Sequence, residues 1–137
     1  MTRAAFSDQR SAFRKSPPAP DFAKSYRDLV VWQRSIELTV VIYKLTRAFP
    51  REETFGLSSQ LRRASVSTAS NIAEGYGRGS KGEYRNFLGI ARGSALEVQT
   101  QLVIARQLGL GNSAETAKAE SLADETGKML WAMMQKL

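Results

Sequence analysis

A chain of 137 residues with a net charge of +7 and 42% apolar residues is one domain or a domain with a tail, with apolar material enough for a core without staples. It contains neither cysteine nor histidine, which excludes disulfide frameworks and thiolate chemistry and removes the commonest general base and metal ligand. No apolar run approaches the roughly 20 residues that span a bilayer, and no apolar signal core opens the chain, so a soluble cytoplasmic protein is expected.

The charge is uneven. Residues 1–27 carry six basic and two acidic groups (+4), residues 28–111 add +4, and residues 112–137 contribute −1. Such an excess suits an anionic partner such as nucleic acid, and it equally serves solubility. Residues 1–24 are rich in Arg, Ser, Ala and Pro, with Pro17-Pro18-Ala19-Pro20 near their end. Nothing there can bury a face, so a disordered basic arm is expected. It reads as an arm lying along a nucleic-acid backbone, as an uncleaved or misannotated start, or as an organelle transit peptide.

A first helix is expected from about Asp28 to Ala48, capped by Ser25 or Asp28. Leu29, Trp32, Ile36, Val40 and Tyr43 form one apolar stripe; Val31, Leu38, Ile42, Leu45 and Phe49 form another, nearly opposite. An outer helix of a monomeric bundle needs a single stripe, so two suggest a second burial partner, most simply another subunit. Phe49-Pro50 ends this helix, because proline disfavours helical backbone just before it. Residues 51–55 form a turn.

The second helix, from Gly56 to Gly75, is built of small and polar residues. Its stripes are a narrow apolar one (Leu57, Leu61, Ala64, Thr68, Ile72), a small one (Val66, Ala69, Ala73) and a polar one (Gln60, Arg63, Ser67, Asn71, Glu74). Ser, Thr and Asn are weak helix formers, so neighbours must hold this helix on more than one side. It reads as the central staff of a bundle. The glycines at 75, 77 and 79 suit a C-cap and loop. The strand that a phosphate-cradling loop requires is missing before them.

Ser80 to Glu83 is a capping box that opens a third helix reaching about Leu108, with Tyr84, Phe87, Ala91, Ser94, Val98, Leu102 and Ala105 facing inward. Asn112 to Glu115 is another, opening a fourth helix with one stripe of Leu122, Thr126, Met129, Leu130, Met133 and Leu137. Short connections favour antiparallel neighbours, giving an all-α, up-down-up-down four-helix bundle over residues 25–137.

Without histidine, the usual carboxylate–histidine metal site of such bundles cannot be built, and Glu74, Glu83 and Glu97 offer only an all-carboxylate cluster. No serine has a nucleophile elbow or a histidine base, and no spacing nominates a Ser–Lys pair. No enzyme activity and no cofactor are expected. The informative spacing is on the third helix, where Arg78, Arg85, Arg92 and Arg106 stand seven, seven and fourteen residues apart, with Lys81 beside them and Gln99 in the gap. Heptad spacing keeps these groups nearly in line, drifting about 20° per repeat, with successive arginines about 10.5 Å apart. One reading is a phosphate-tracking stripe, reinforced by Arg62 or Arg63. The other is a solvated face partly paired with Glu74, Glu83 or Glu97. Gln60, Ser67, Asn71 and Glu74 read as a buried polar network or oligomer contact, with Glu74 pairing Arg78. Asn71→Leu is then expected to harm assembly rather than any turnover.

Asp28-Leu-Val-Val-Trp-Gln33, Ile42-Tyr-Lys-Leu-Thr46, Phe49-Pro50, Gly56-Leu-Ser-Ser-Gln60, Arg62-Arg63-Ala64, Ser70-Asn-Ile-Ala-Glu-Gly75 and Gly93-Ser94 stand in one order. Together they resemble the bacterial four-helix-bundle family encoded in intervening sequences of 23S ribosomal RNA genes, over about residues 25–137. That family is similar to the accessory variability proteins of diversity-generating retroelements. The resemblance implies a five-fold barrel of bundles, hence a homopentamer, and offers no catalytic residue to carry over. The retroelement relatives imply two partners, nucleic acid bound through basic surfaces and a reverse transcriptase. Two function classes follow: a nucleic-acid-binding oligomer acting on structured RNA, and a protein-interaction scaffold that docks a reverse transcriptase.

Overall fold

The computed structural model describes residues 24–137. The expected basic arm, Lys24 apart, lies outside the described residues. Four helices account for most of the rest: α1 (Val30–Arg47), α2 (Leu57–Tyr76), α3 (Lys81–Gln107) and α4 (Ser113–Lys136). Short 3-10 turns at Tyr26–Asp28 and Arg51–Glu53 precede α1 and α2, and there is no strand among the described residues.

The helix ends show why these segments start and stop where they do. Ser80 Oγ accepts from the Glu83 N–H at 3.1 Å, and Asn112 Oδ1 accepts from the N–H groups of Ala114 and Glu115 at 2.9 and 3.0 Å. Both caps satisfy donors that have no partner inside the helix. Gly56 has no side chain to cap α2, and Glu53 takes its place, accepting the Leu57 N–H at 3.1 Å. Leu108 to Leu110 close α3 as a Schellman motif, in which the Leu110 N–H reaches the Ala105 carbonyl at 2.9 Å and Gly109 sits at φ 70°. The expected cap of α1 is different. Ser25 caps the 3-10 turn instead, accepting the Arg27 N–H at 3.0 Å, and α1 begins at Val30 with no side-chain cap. The intervening Leu29 is extended and buried, so inserting it into the core sets the entry of α1.

Each helix packs on two others: α1 on α2 and α4, and α3 on α2 and α4. Cross-helix pairs run in opposing order. Thr39 meets Ser65 while Thr46 meets Arg62; Gln99 meets Ala123 while Arg106 meets Glu120. The core lies along the middle in two apolar layers. One joins Leu38, Ile42 and Leu45 to Leu61, Val98, Leu102 and Leu122. The other joins Leu29 and Val31 to Ile72, Leu88, Ala91 and Leu130. Burying one such leucine or isoleucine side chain contributes about 1.5–3 kcal/mol. Between the layers every helix supplies a small polar residue: Ser35, Thr68, Ser94 and Thr126 are all buried. Ser35 and Thr68 donate to carbonyls of their own helices, at 2.7 and 2.9 Å, so these hydroxyls enter the core already satisfied.

The two stripes of α1 have different fates. Val31, Leu38, Ile42, Leu45 and Phe49 form the core face. In the opposite stripe Leu29 is buried and Trp32 and Ile36 are half-buried, whereas Val40 and Tyr43 remain 48% and 39% exposed. Leu137, expected on the inner stripe of α4, is exposed because it lies past the helix end. Gly77 and Gly79, after α2, do not adopt the left-handed conformation, and Gly75 lies inside the last turn of α2, where it serves closeness instead. It is buried, and a Cβ there would lie 2.7 Å from Phe87 Cβ and 3.3 Å from the Tyr84 carbonyl oxygen. This glycine lets α3 approach the backbone of α2.

Candidate nucleic-acid interface

Beside its buried stripe, α3 has two flanks. One faces α2 and carries Ser94, Glu97 and Gln101; the other faces α4 and carries Arg92, Gln99 and Arg106. Heptad spacing sets Arg85 on the Arg92 flank, and Lys81 one turn earlier joins it. Arg85, Arg92 and Arg106 therefore do share a side, where α4 engages Arg92 and Arg106, whereas Arg78 lies in the turn before α3 and not on its flank. Arg106 donates to both carboxylate oxygens of Glu120, from Nε at 3.1 Å and Nη2 at 2.9 Å. That hydrogen bond, with the carboxylate's charge, raises the Arg106 pKa still further above its ordinary value. Gln99 Nε2 donates to the Ala123 carbonyl at 3.2 Å, and the Arg92 guanidinium lies 4.8 Å from the centroid of the Trp131 ring. Arg78 pairs with Glu74 at 2.9 Å and stacks over Phe87 at 4.8 Å.

Lys81 and Arg85 are different. Both are exposed, and neither has an ion-pair or hydrogen-bond partner among the described residues. Farther along the same flank, Arg92, Leu96, Gln99, Asp124, Gly127, Lys128 and Trp131 line a cleft of about 230 Å³ between α3 and α4. Lys128 pairs with Asp124 at 3.1 Å across one exposed turn of α4. Trp131 and Lys128 are site residues that the sequence reading missed. The available signal was a tryptophan set off the apolar stripe of α4, three residues after a lysine.

The structure does not bring Arg62 and Arg63 to this flank. Arg62 turns the other way, donating from Nε to Thr46 Oγ1 at 2.8 Å with its guanidinium 4.5 Å over Tyr43. Arg63 is exposed and lines an open groove of about 850 Å³ with Tyr43, Phe55, Val66, Glu97 and Gln101. The reason is topological: α2 sits between α1 and α3, while the arginine row faces α4.

The expected polar network is smaller than the sequence suggests. Asn71 Nδ2 donates to the Ser67 carbonyl at 2.8 Å and lies 3.1 Å from Ser67 Oγ, which in turn shares a 2.9 Å hydrogen bond with Ser94 Oγ. Asn71 and Ser67 are half-buried and Ser94 is buried at the α2–α3 seam. Gln60 and Glu74 are exposed and stand outside it. The seam passes between Ser67 and Ser94, whereas Glu74 turns outward to Arg78 and Gln60 opens onto the large groove. Near the far end of the seam, Tyr84 packs edge-on against Tyr76, ring centroids 6.1 Å apart. Its hydroxyl is buried without a hydrogen-bond partner, and burial, then the nearby Tyr76, raises its pKa. Among the described residues no cluster of acidic side chains is arranged to hold a metal ion, and no helix is long and apolar enough to cross a membrane.

These features define an all-α protein of four packed helices, basic overall, with the unpaired Lys81 and Arg85 on one flank of α3 and an open groove of mixed polar and apolar lining beside α2. The chain belongs to the 23S rRNA-intervening sequence protein family, whose model matches residues 27–132. It is also similar to a solved structure described as a protein with unknown function from the S23 ribosomal protein family of Bacteroides thetaiotaomicron. The two are 24% identical, with a TM-score of 0.68 over 76% of this chain and 97% of that one, a likeness in fold. No curated protein matches the chain.

Proposed function

We propose that this protein is a non-catalytic, cytoplasmic RNA-binding assembly, in which an up-down-up-down bundle forms a homopentameric barrel and presents the Lys81–Arg85–Arg92 flank to structured RNA. The observation that carries the binding half is the unpaired state of Lys81 and Arg85 beside the half-buried Arg92, on a chain of net charge +7. Cations without carboxylate partners give up little when they meet phosphate, and guanidinium forks suit phosphate oxygens. The opposing order of the cross-helix pairs supports the up-down course. Self-association is supported by the exposed Val40 on α1 and by Tyr43, Val66 and the 96% exposed Phe55, which line the groove bordered by α1, α2 and α3. An exposed apolar group of this kind marks an interaction surface. The five-fold count is what the family resemblance implies. The absence of histidine and cysteine supports a non-catalytic role.

The test is RNA affinity against salt for the full chain and for a Lys81→Ala/Arg85→Ala variant. Log affinity is expected to fall linearly with log salt, by about 0.7–0.9 per phosphate contact, and the variant is expected to flatten that slope. Absence of binding at low salt refutes the reading. A second reading rests on the same groove and its exposed Phe55: it docks a different protein, such as a reverse transcriptase. A monomeric mass in light scattering favours that reading over self-association.

A further inference from the structure

We infer that the Arg92–Trp131 pair is a stacking platform for an unpaired RNA base, so that this flank prefers single-stranded segments over uninterrupted duplex. The inference rests on the RNA-binding reading above and specifies what the flank recognises. Trp131 is 49% exposed on α4, outside both apolar layers, and Arg92 lies 4.8 Å over its ring. Each offers a flat face of the kind bases stack on, an indole and a guanidinium plane. The 230 Å³ cleft beside them is smaller than the 300–1,000 Å³ typical of pockets that enclose a ligand, so it admits one planar group edge-on rather than a whole nucleotide. Gly127 lines it, with the Gln99 amide 3.4 Å from where a Cβ would stand, and Lys128 borders it paired with Asp124. Lys81 and Arg85, unpaired on the same flank eleven and seven residues before Arg92, are placed to hold the phosphates that lead away from a stacked base on one side, about 10 to 17 Å along the helix.

Among the described residues three other arginines stack on aromatic rings, and each is less suited. Arg62 over Tyr43 is tied to Thr46 and borders the large groove; Arg78 over Phe87 is neutralised by Glu74; Arg27 over Tyr26 stands 5.7 Å off the ring beside the half-buried Trp32. Of these four, Arg92 alone combines an exposed indole, a cleft and unpaired cations on the same flank.

The experiment measures binding of the full chain to a short oligoadenylate and to an RNA duplex of equal length, with Trp131→Ala, Trp131→Phe and Lys81→Ala/Arg85→Ala variants. Trp131→Ala is expected to weaken oligoadenylate binding by about 5- to 150-fold, the loss of one base stack, with the salt slope unchanged. Duplex affinity should stay as it was, and Trp131→Phe should retain most of the binding. In a Trp32→Phe background, Trp131 fluorescence should be quenched on adding oligoadenylate. If Trp131→Ala and Trp131→Phe bind oligoadenylate like wild type while Lys81→Ala/Arg85→Ala is weakened, the stacking platform is overturned and the phosphate reading survives. If the wild-type chain binds neither RNA at low salt, both fall.

Discussion

Gly75→Ala is the sharpest test of how α2 and α3 are held together. The new Cβ would stand 2.7 Å from Phe87 Cβ, 3.2 Å from Tyr84 Cδ1 and 3.3 Å from the Tyr84 carbonyl oxygen. Carbon atoms in good contact stand about 3.5–4.0 Å apart, so α3 must retreat by about 1 Å at this point. Two of the three obstacles are a backbone atom and a Cβ, which no rotamer change can move aside. Overpacking of this kind costs about 1–3 kcal/mol, against which alanine regains about 0.8–1.0 kcal/mol of helix propensity over glycine. Gly93 is the matched control: it lies inside α3 with nothing within 4 Å of an added Cβ, so Gly93→Ala should keep the propensity gain whole. The two variants should differ by about 1–3 kcal/mol, or about 3–12 °C in melting temperature for a chain of this size, with Gly75→Ala below wild type. Thermal denaturation followed by circular dichroism measures it. A Gly75→Ala melting temperature equal to or above that of Gly93→Ala would refute the close approach of α2 and α3.

The capping and ionisation readings are tested the same way. Asn112→Ala removes an acceptor shared by the Ala114 and Glu115 N–H groups, and should cost about 0.5–2 kcal/mol in urea denaturation. An unchanged midpoint would mean that solvent serves those donors equally well. Tyr84 has its pKa raised above 10.0, because burial penalises the phenolate. The folded state therefore holds this proton more tightly than the unfolded chain, and the Tyr84 contribution is complete below pH 10 and lost as pH rises through the folded pKa. Tyr84→Phe should match or exceed wild type near neutrality, since the hydroxyl has no partner to lose. It should also lose less stability than wild type between neutral pH and strongly alkaline pH, and parallel curves would contradict the assignment.

The elements and most of the core were readable from local chemistry. Pro50, Ser80, Asn112 and the glycines after Leu108 punctuate the chain, and their effects act over a few residues. The Glu74–Arg78 pair was readable for the same reason, being one turn apart on one helix. The arginine row was half readable. Heptad spacing places Arg85, Arg92 and Arg106 on a common flank, but periodicity within α3 says nothing of what α4 sets opposite. Glu120 is fourteen residues from Arg106, and Trp131 lies farther still from Arg92, so both contacts depend on the register between helices. The same limit explains Gln60. It shares a polar stripe with Ser67 and Asn71 but not the seam with α3, which only the packing of two helices defines. On α1, two stripes of similar apolarity left open which one faces inward. Leucine and isoleucine fill the inward one at Leu38, Ile42 and Leu45, while Val40 and Tyr43 occupy the outward one.

These pairings change what the salt dependence of RNA binding means. If Arg62, Arg63, Arg78, Lys81, Arg85, Arg92 and Arg106 all met phosphates, a single-stranded ligand would give a slope of about 5 per chain, at about 0.7 per contact. Arg78 and Arg106 already hold carboxylates, Arg62 holds Thr46, and Arg63 opens on another face. Lys81, Arg85 and Arg92 alone give about 2 per chain. Moving Arg78 or Arg106 onto phosphate would leave Glu74 or Glu120 unpaired beside the ligand, which opposes binding. A slope well above 2 per RNA bound therefore points either to the basic residues of segment 1–24 or to several copies of the same flank on one strand, as a ring of subunits would supply. The Lys81→Ala/Arg85→Ala variant separates the cases, because it removes its contribution once per subunit engaged.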